Sequence, residues 1–374
     1  GEEVTTTTDD TSVTMDTVAP DLSGYTLTVN GSSSFTAKPG DVLKLEINTT
    51  ESISTPTVKL AGQSVDASGS ESSWSAQREL LASDAEGEVA VELVLTDAAG
   101  NTRTRSYPQV DSSNLLASYP FSGNADDASG NDNDLTPKGG ASLTNDRFGR
   151  SNSAYRFDGS NDYIVVNDPP QISGDITVEM WLKTTQADQN FAIGKYNSGI
   201  VGWLLLVNNQ KAQFDGRDGS GNYRSVSGSE IIGDGKWHHV AAQRSGSIWR
   251  VMVDGGNWTE NDVGTQGNIE ANISMAIGAL HADGGYPFNG QIDEVRIWGK
   301  ALDASQVRMR ANTVRLDTST PTLSDITLVS SNVVTGWAKS GQDLTLSFSA
   351  SEGIPTPTVM FAGRAITPSN GSGN

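Results

Sequence analysis

The sequence predicts an all-β protein: a central two-sheet jelly-roll sandwich flanked by small antiparallel β-sandwich modules. Three observations carry this. Apolar residues alternate with polar ones over short runs, as around Val42, Leu43, Leu45 and Ile47, with Gly- and Pro-bearing turns between runs. Helical periodicity is nearly absent, its best stretch being a short turn at Asp303–Met309. The two ends of the chain are copies of one another: residues 16–73 and 317–374 align without a gap, at an offset of 317 − 16 = 301.

Taken in order, residues 1–15 read as the last strand of a preceding copy, and residues 16–112 as one complete module. In the alignment Asp16-Thr17 and Pro20 meet Asp317-Thr318 and Pro321, and Leu22 meets Leu323. Thr55-Pro56-Thr57-Val58 meets Thr356-Pro357-Thr358-Val359. Val89, Val91, Leu93 and Leu95 mark a late strand of the first copy. The second copy, residues 315–374, stops opposite Ser73 and before a counterpart of Trp74, so it is expected to be unstable alone, with an unpaired edge. The chain therefore reads as an interior part of a longer multidomain protein. Across residues 113–314 aromatics increase and the strand-like runs lengthen, as at Thr177–Leu182, Trp203–Val207, His238–Ala242, Trp249–Val253 and Ile292–Trp298. About two hundred such residues with Gly/Asn/Asp loops predict a jelly roll. Trp181, Trp203, Trp237, Trp249 and Trp298 read as core.

Composition narrows the function. Lys+Arg 25 against Asp+Glu 45 gives a formal charge of −20, which argues against nucleic acid and against a polybasic membrane patch. With no Cys, disulfides, thiolate metal sites and cysteine nucleophiles are excluded. No run of eighteen apolar residues is present, so no membrane-inserted helix is expected.

The flanking modules resemble bacterial immunoglobulin-like repeats of secreted and surface adhesins. The opening Asp16-Thr17-Val18-Ala19-Pro20 and the late Thr96-Asp97-Ala98-Ala99-Gly100-Asn101 carry the likeness. It implies that a linker aspartate, Asp16 or Asp317, binds calcium at the joint between repeats; an Asx turn or a proline-set linker is the alternative. The central region resembles the laminin-G-like, concanavalin A-like jelly-roll family. Four segments carry this: Tyr119–Asn131, Ala154–Tyr163, Asp234–Gly255 and Gly290–Trp298, the last reading Gly-Gln-Ile-Asp-Glu-Val-Arg-Ile-Trp.

The family resemblance implies a structural calcium joining the opening loop to the final strand, carried over to Asp127 and Asp293, with Asp162 and the Gly159 carbonyl as further ligands. The residues agree in part. Gly123–Asp134 is rich in Asp and Asn, oxygen donors that suit a hard cation, although its spacing is not an EF-hand. Asp293 interrupts an apolar strand, where an unpaired carboxylate is costly. The alternative is that these residues cap turns in a solvated acidic loop.

Catalysis is not expected. A glycosidase needs two carboxylates across the cleaved bond, and the E-x-D-x-E strand of laminarinase-type relatives is absent. Glu179 stands alone, and Asp293 and Glu294 are adjacent, hence expected on opposite faces. His238 and His239 are adjacent strand residues that cannot converge on one ion. The resemblance implies glycan or protein binding instead, with loop aromatics as sugar platforms: Trp258 above all, then Tyr286 and Tyr223, with Asp283 beside them. The expected role is an extracellular or bacterial-surface adhesion segment recognising glycans such as cell-surface or matrix polysaccharides. A structural spacer, a protein-docking module and an accessory domain of a larger secreted enzyme remain open.

Overall fold

The computed structural model describes residues 2–6, 12–109, 112–332, 337–351 and 357–366, apart from positions 167, 173, 198–200, 263, 265, 266 and 362. An antiparallel pair, β1 (Glu2–Thr6) and β2 (Ser12–Met15), opens the chain. Next come β3 (Leu22–Val29), β4 (Thr36–Ala37), β5 (Val42–Thr49), β6 (Thr57–Leu60), β7 (Gln63–Val65) and β8 (Ser68–Ser70). β9 (Ser73–Glu79), β10 (Gly87–Glu88), β11 (Val91–Thr96) and β12 (Thr102–Tyr107) complete the series. They form two four-stranded sheets, β3-β5-β9-β8 and β12-β11-β6-β7. Alternation along each strand sends Leu43, Leu45 and Ile47 inward to meet Val58, Leu93 and Leu95, while Val42 faces out.

The central sandwich has two larger sheets. Its strands are β13 (Leu115–Tyr119), β14 (Thr136–Lys138), β15 (Ser142–Thr144), β16 (Ala154–Asp158), β17 (Tyr163–Val166) and β18 (Ile176–Lys183). β19 (Asn190–Asn197), β20 (Val201–Asn208), β21 (Lys211–Arg217), β22 (Tyr223–Ser227) and β23 (Trp237–Ser245) follow. Then come β24 (Ile248–Val253), β25 (Thr259–Asp262), β26 (Met275–Ile277) and β27 (Asn289–Trp298). One sheet runs β15-β16-β27-β18-β23-β24-β25, with β13 also on β27; the other runs β14-β17-β26-β19-β20-β21-β22. Between them lie Phe157, Trp203, Phe214, Trp249 and Phe288. Phe214 stacks on Trp249 with centroids 4.5 Å apart. Gly216 is required there, because a Cβ would meet the Trp249 ring at 2.0 Å.

The expected core tryptophans divide. Trp203 and Trp249 fill the space between the sheets. Trp181 and Trp298 are equally buried but on the outer face of the β18-bearing sheet, and Trp237 is half-buried. Trp181 is covered by Phe35 of the N-terminal sandwich, edge-on at 5.2 Å. Trp298 packs with Leu302 and Val307 at the short helix α1 (Ala304–Ala311). The helix starts where Asp303 N donates to Gln306 Oε1 at 3.2 Å, and Arg308 on it donates to the Leu22 carbonyl at 3.1 Å.

After α1 the chain returns to the N-terminal sandwich. β28 (Arg315–Leu316) pairs antiparallel with β10 and parallel with β4, and Met309, Val314 and Leu316 enter that sandwich's core. Residues assigned from the sequence to the second module and to the end of the jelly roll thus complete the first module. The central sandwich is inserted between its parts.

The chain divides into two compact units, Gly1–Asp317 and Thr318–Asn374. The second holds two hairpins, β29 (Leu323–Ser330) with β30 (Leu344–Ala350), and β31 (Val359–Phe361) with β32 (Arg364–Ile366). Their register repeats the first copy at the 301 offset: Leu328 faces Leu346 as Leu27 faces Leu45, and Val359 faces Ile366 as Val58 faces Val65. Burial does not repeat. Leu22 is 2% exposed and Leu323 50%. The strands that cover the first copy, β9, β11 and β12, have no counterparts within these 374 residues. Thr356 of the aligned repeat lies outside the described residues. No helix among the described residues is long and apolar enough to cross a membrane.

Candidate functional site

Asp127 and Asp293 meet different partners. Asp127 accepts five hydrogen bonds from its own neighbourhood: Ser118 N at 2.9 Å, Ser129 N and Oγ at 2.9 and 2.8 Å, and Asn133 N and Nδ2 at 3.1 and 3.3 Å. Positive N–H and O–H ends therefore occupy both its oxygens, as in a turn cap. Asp293 is fully buried and meets Arg147 Nη1 at 3.3 Å. The same nitrogen lies 3.0 Å from Glu294 Oε1. The alternation expected of Asp293 and Glu294 is broken by a bulge: Glu294 has φ +47° and the β18–β27 register shifts there. An inserted residue resets the two-residue period, so adjacent carboxylates share one guanidinium. Burial and the Glu294 charge push the Asp293 carboxyl well above the usual range. Burial also opposes Glu294 ionisation, but Arg147 and Arg296 outweigh it and hold that carboxyl down at about 2. A cation is already supplied by arginine, and the residues present do not fit calcium between Asp127 and Asp293.

Asp162 is buried and accepts from Asp158 N at 2.9 Å, closing the turn that holds Gly159 beside Asn289. That turn is at the opposite end of β16 from the strand positions leading to Asp293, since Asp158 pairs with Asn289 and Tyr155 with Ile292. Asp317 is tied through its backbone N to the Ala37 carbonyl at 2.9 Å.

Asp16 belongs to a different constellation. One carboxylate oxygen each of Asp16, Glu51 and Asp97 lie within 4.8 Å of one another. None of the three forms an ion pair with a cationic side chain among the described residues. Burial and then the charges of Asp16 and Asp97 raise the Glu51 carboxyl above its ordinary value. Asp97 is oriented by Asn101, whose N and Nδ2 donate to it at 2.9 and 2.8 Å. These three oxygens come from separate loops and are donors of the kind a hard cation takes. Neither Glu51 nor Asp97 is singled out as a metal candidate by the sequence alone. The Asp97-Ala98-Ala99-Gly100-Asn101 string was the available signal, but its proximity to Asp16 is a property of the fold. The residue aligned with Glu51 in the second copy is Glu352, which lies outside the described residues.

The ligand candidates separate onto two faces. On the outer face of the seven-stranded sheet, Tyr223 is 45% exposed, and its hydroxyl donates to Asp215 Oδ2 at 2.5 Å. Asp215 is itself buried and takes both oxygens to Gln213 Nε2 at 2.9 Å. Arg217 lies over the Tyr223 ring at 5.9 Å. Strand alternation places Gln213, Asp215 and Arg217 on this face and Gly216 in the core. Leu204 and Leu206 continue the face on β20, with Phe191 and Tyr196 packed on them. Tyr286, 57% exposed at φ +57°, leans on Phe191 at 5.6 Å and His281 at 6.2 Å. Asp283 is exposed in the same loop and caps it through Gly285 N at 3.1 Å.

Trp258 is elsewhere. It packs half-buried against Ala241, Met252 and Trp298 on the outside of the other sheet, with Arg250 over its ring at 5.3 Å. Its neighbours in sequence, Gly256, Asn257, Thr259 and Glu260, offer no core to join. The structure supplies one, because the inserted helix builds a satellite cluster there.

Glu179, His238 and His239 each have partners in the structure. Glu179, fully buried, accepts from Arg310 Nε at 2.5 Å and lies 3.7 Å from His239 Nε2. The two histidines diverge as expected: His239 lies against Trp181 at 5.3 Å, and His238 bridges Asp254 at 2.8 Å and Asp234 at 3.0 Å.

Residues 158–308 match the family model described as the concanavalin A-like lectin/glucanases superfamily. The chain is similar to the binding domain of Paraclostridial Mosquitocidal Protein 1, at 19% identity and a TM-score of 0.46, over 54% of this chain and 52% of that one. It is similar to the botulinum neurotoxin serotype D binding domain, at 16% identity and 0.43, over 54% and 51%. It is also similar to domain 4 of AbnA, a GH43 extracellular arabinanase from Geobacillus stearothermophilus solved with arabinotriose, at 23% identity and 0.44, over 53% and 98%. The matched region spans about half the length of the toxin-domain chains. No curated protein matches.

Proposed function

We propose that this chain is a non-catalytic, extracellular recognition segment whose central sandwich binds glycans on the outer face of its seven-stranded sheet. The observation that carries the reading is the exposed Tyr223 ring, oriented by a buried Asp215 that Gln213 also holds. A fixed aromatic ring beside amide, carboxylate and guanidinium groups suits a sugar, which offers C–H faces and hydroxyl edges. From Tyr223 on β22 to Phe191 on β19 is three inter-strand spacings, about 14 Å, room for a short oligosaccharide reaching the Tyr286 rim. The family match and the arabinotriose-bound neighbour are in keeping with this reading. A glycan array on the full chain tests it: Tyr223→Ala is expected to lose at least tenfold in affinity for any neutral glycan bound, with Trp258→Ala unchanged. Loss confined to Trp258→Ala sinks the proposal.

A structural spacer is the second reading. It is favoured by the sheet face that is committed to the N-terminal sandwich through Trp181 and Phe35. An array without hits from folded protein selects it.

Calcium is proposed for Asp16, Glu51 and Asp97, stiffening the entry to the N-terminal sandwich. The ion would relieve the repulsion that raises Glu51. Excess calcium at about 100 times Kd is expected to add about 2.7 kcal/mol to that sandwich. Thermal melts in calcium and in EDTA check this: Glu51→Gln should lose most of the difference, and identical wild-type melts would refute the site.

A further inference from the structure

A cleft of about 330 Å³ opens where the N-terminal sandwich meets the helix of the inserted one. β12 contributes Thr104, Arg105, Ser106 and Tyr107, and α1 contributes Gln306 and Arg310. Both elements belong to the Gly1–Asp317 unit, so the cleft exists only when the insertion is seated.

Arg310 is the group this architecture leaves unfinished. Its side chain is 6% exposed, its Nε is engaged by Glu179, and its face lies 4.9 Å over Trp298. Its Nη2 is buried with no hydrogen-bond partner, and no acceptor among the described residues meets Nη1. Of the five guanidinium donors, the two on Nη2 are desolvated and unpaired, which is costly, and Nη1 is the unpaired nitrogen that is not sealed from the cleft. Arg105 stands across the cleft, with Nε on Asp21 at 3.0 Å and Nη2 on Asp21 and Asp303 at 2.6 and 3.0 Å, so its Nη1 is spare. Burial and then the charges of Glu294 and Glu88 hold the Tyr107 phenol well above its ordinary range, which keeps it a hydrogen-bond donor. Arg147 and Arg296 act on it in the opposite sense.

Each arginine is already matched by carboxylates, Asp21 and Asp303 for Arg105 and Glu179 for Arg310, so net charge does not draw in a polyanion. What the cleft offers is directed donors among hydroxyls. We propose that it is a second ligand site, distinct from the Tyr223 face, that takes the carboxylate of an acidic sugar on Arg310 and Tyr107, with Thr104 and Ser106 on the ring hydroxyls. A uronic acid has the single carboxylate and the hydroxyl edge this arrangement fits.

Titrating the full chain with glucuronate and with glucose, followed by NMR, tests the assignment. Glucuronate is expected to bind at least tenfold more tightly than glucose. Tyr107→Phe, which keeps the packing, should weaken glucuronate about tenfold, and Tyr223→Ala should leave it unchanged. Arg310→Gln should abolish binding if it folds; Tyr107→Phe stands in for it if unpaired Glu179 prevents folding. Equal affinity for the two sugars overturns the proposal, as does undiminished glucuronate binding by Tyr107→Phe. Loss in Tyr223→Ala overturns it too, by placing the sugar on the sheet face instead.

Discussion

Arg147→Ala is expected to cost about 3–5 kcal/mol in urea denaturation at pH 7, because it strips the cation from two buried carboxylates. Asp293 and Glu294 both lean on Arg147 Nη1, whose guanidinium also lies over Phe148 at 4.1 Å and Trp181 at 4.4 Å. Arg147 Nη2 donates to Thr313 Oγ1 at 3.1 Å, so the same residue fastens the stretch leading to β28. The pH dependence distinguishes this from simple loss of packing. In the wild type, Glu294 is held down at about 2, so its stabilisation is fully present above the unfolded value of about 4.3 and is lost as pH falls toward 2. Asp293 has the opposite sign: its carboxyl is raised, so its ionisation costs stability as pH rises. Without Arg147 both prefer to be protonated, so the variant's deficit should shrink steadily on acidification. A deficit below about 1 kcal/mol, or one indifferent to pH, refutes the assignment of Arg147 as the resident cation.

Leu316→Asp is expected to unfold the N-terminal sandwich, although the residue follows the whole inserted domain. Leu316 is 0% exposed in that sandwich's core and pairs with Ala37 and Gly87. Losing a buried leucine costs about 2–5 kcal/mol, and an unpaired carboxylate in its place adds to that. Leu328→Asp in the second copy makes the contrast. That leucine is 59% exposed, so the same exchange should stay within about 0.5 kcal/mol. Hydrogen exchange at the β3 and β5 amides reads both. Protection retained in Leu316→Asp would mean that the first sandwich closes without β28.

Much of the architecture was legible beforehand. The alternation at Leu43, Leu45 and Ile47 marks a half-buried strand wherever the chain goes, and the 301-residue offset reappears as matching hairpin registers. The divergence of His238 and His239 followed from the same two-residue period. The sites were less legible. Trp258 looked unattached because the cluster that holds it is built by α1 and Trp298, forty or more residues onward in sequence. Asp127 looked like a metal ligand because a loop that donates five hydrogen bonds to a carboxylate has the same Asp/Asn/Ser composition as one that binds an ion.

What the sequence determined by itself is therefore local: strands, turns and the pairing of each hairpin, because side-chain alternation and turn chemistry act over a few residues. Only the tertiary structure decided which charges meet. The bulge at Glu294 turned neighbours onto one arginine, the return of residues 314–316 completed the N-terminal sandwich, and β12 and α1 met to form the cleft beside Arg310. The packing of sheets brought Asp16, Glu51 and Asp97 together. Convergence of distant groups depends on strand order and layer contact, and spacing along the chain does not encode either.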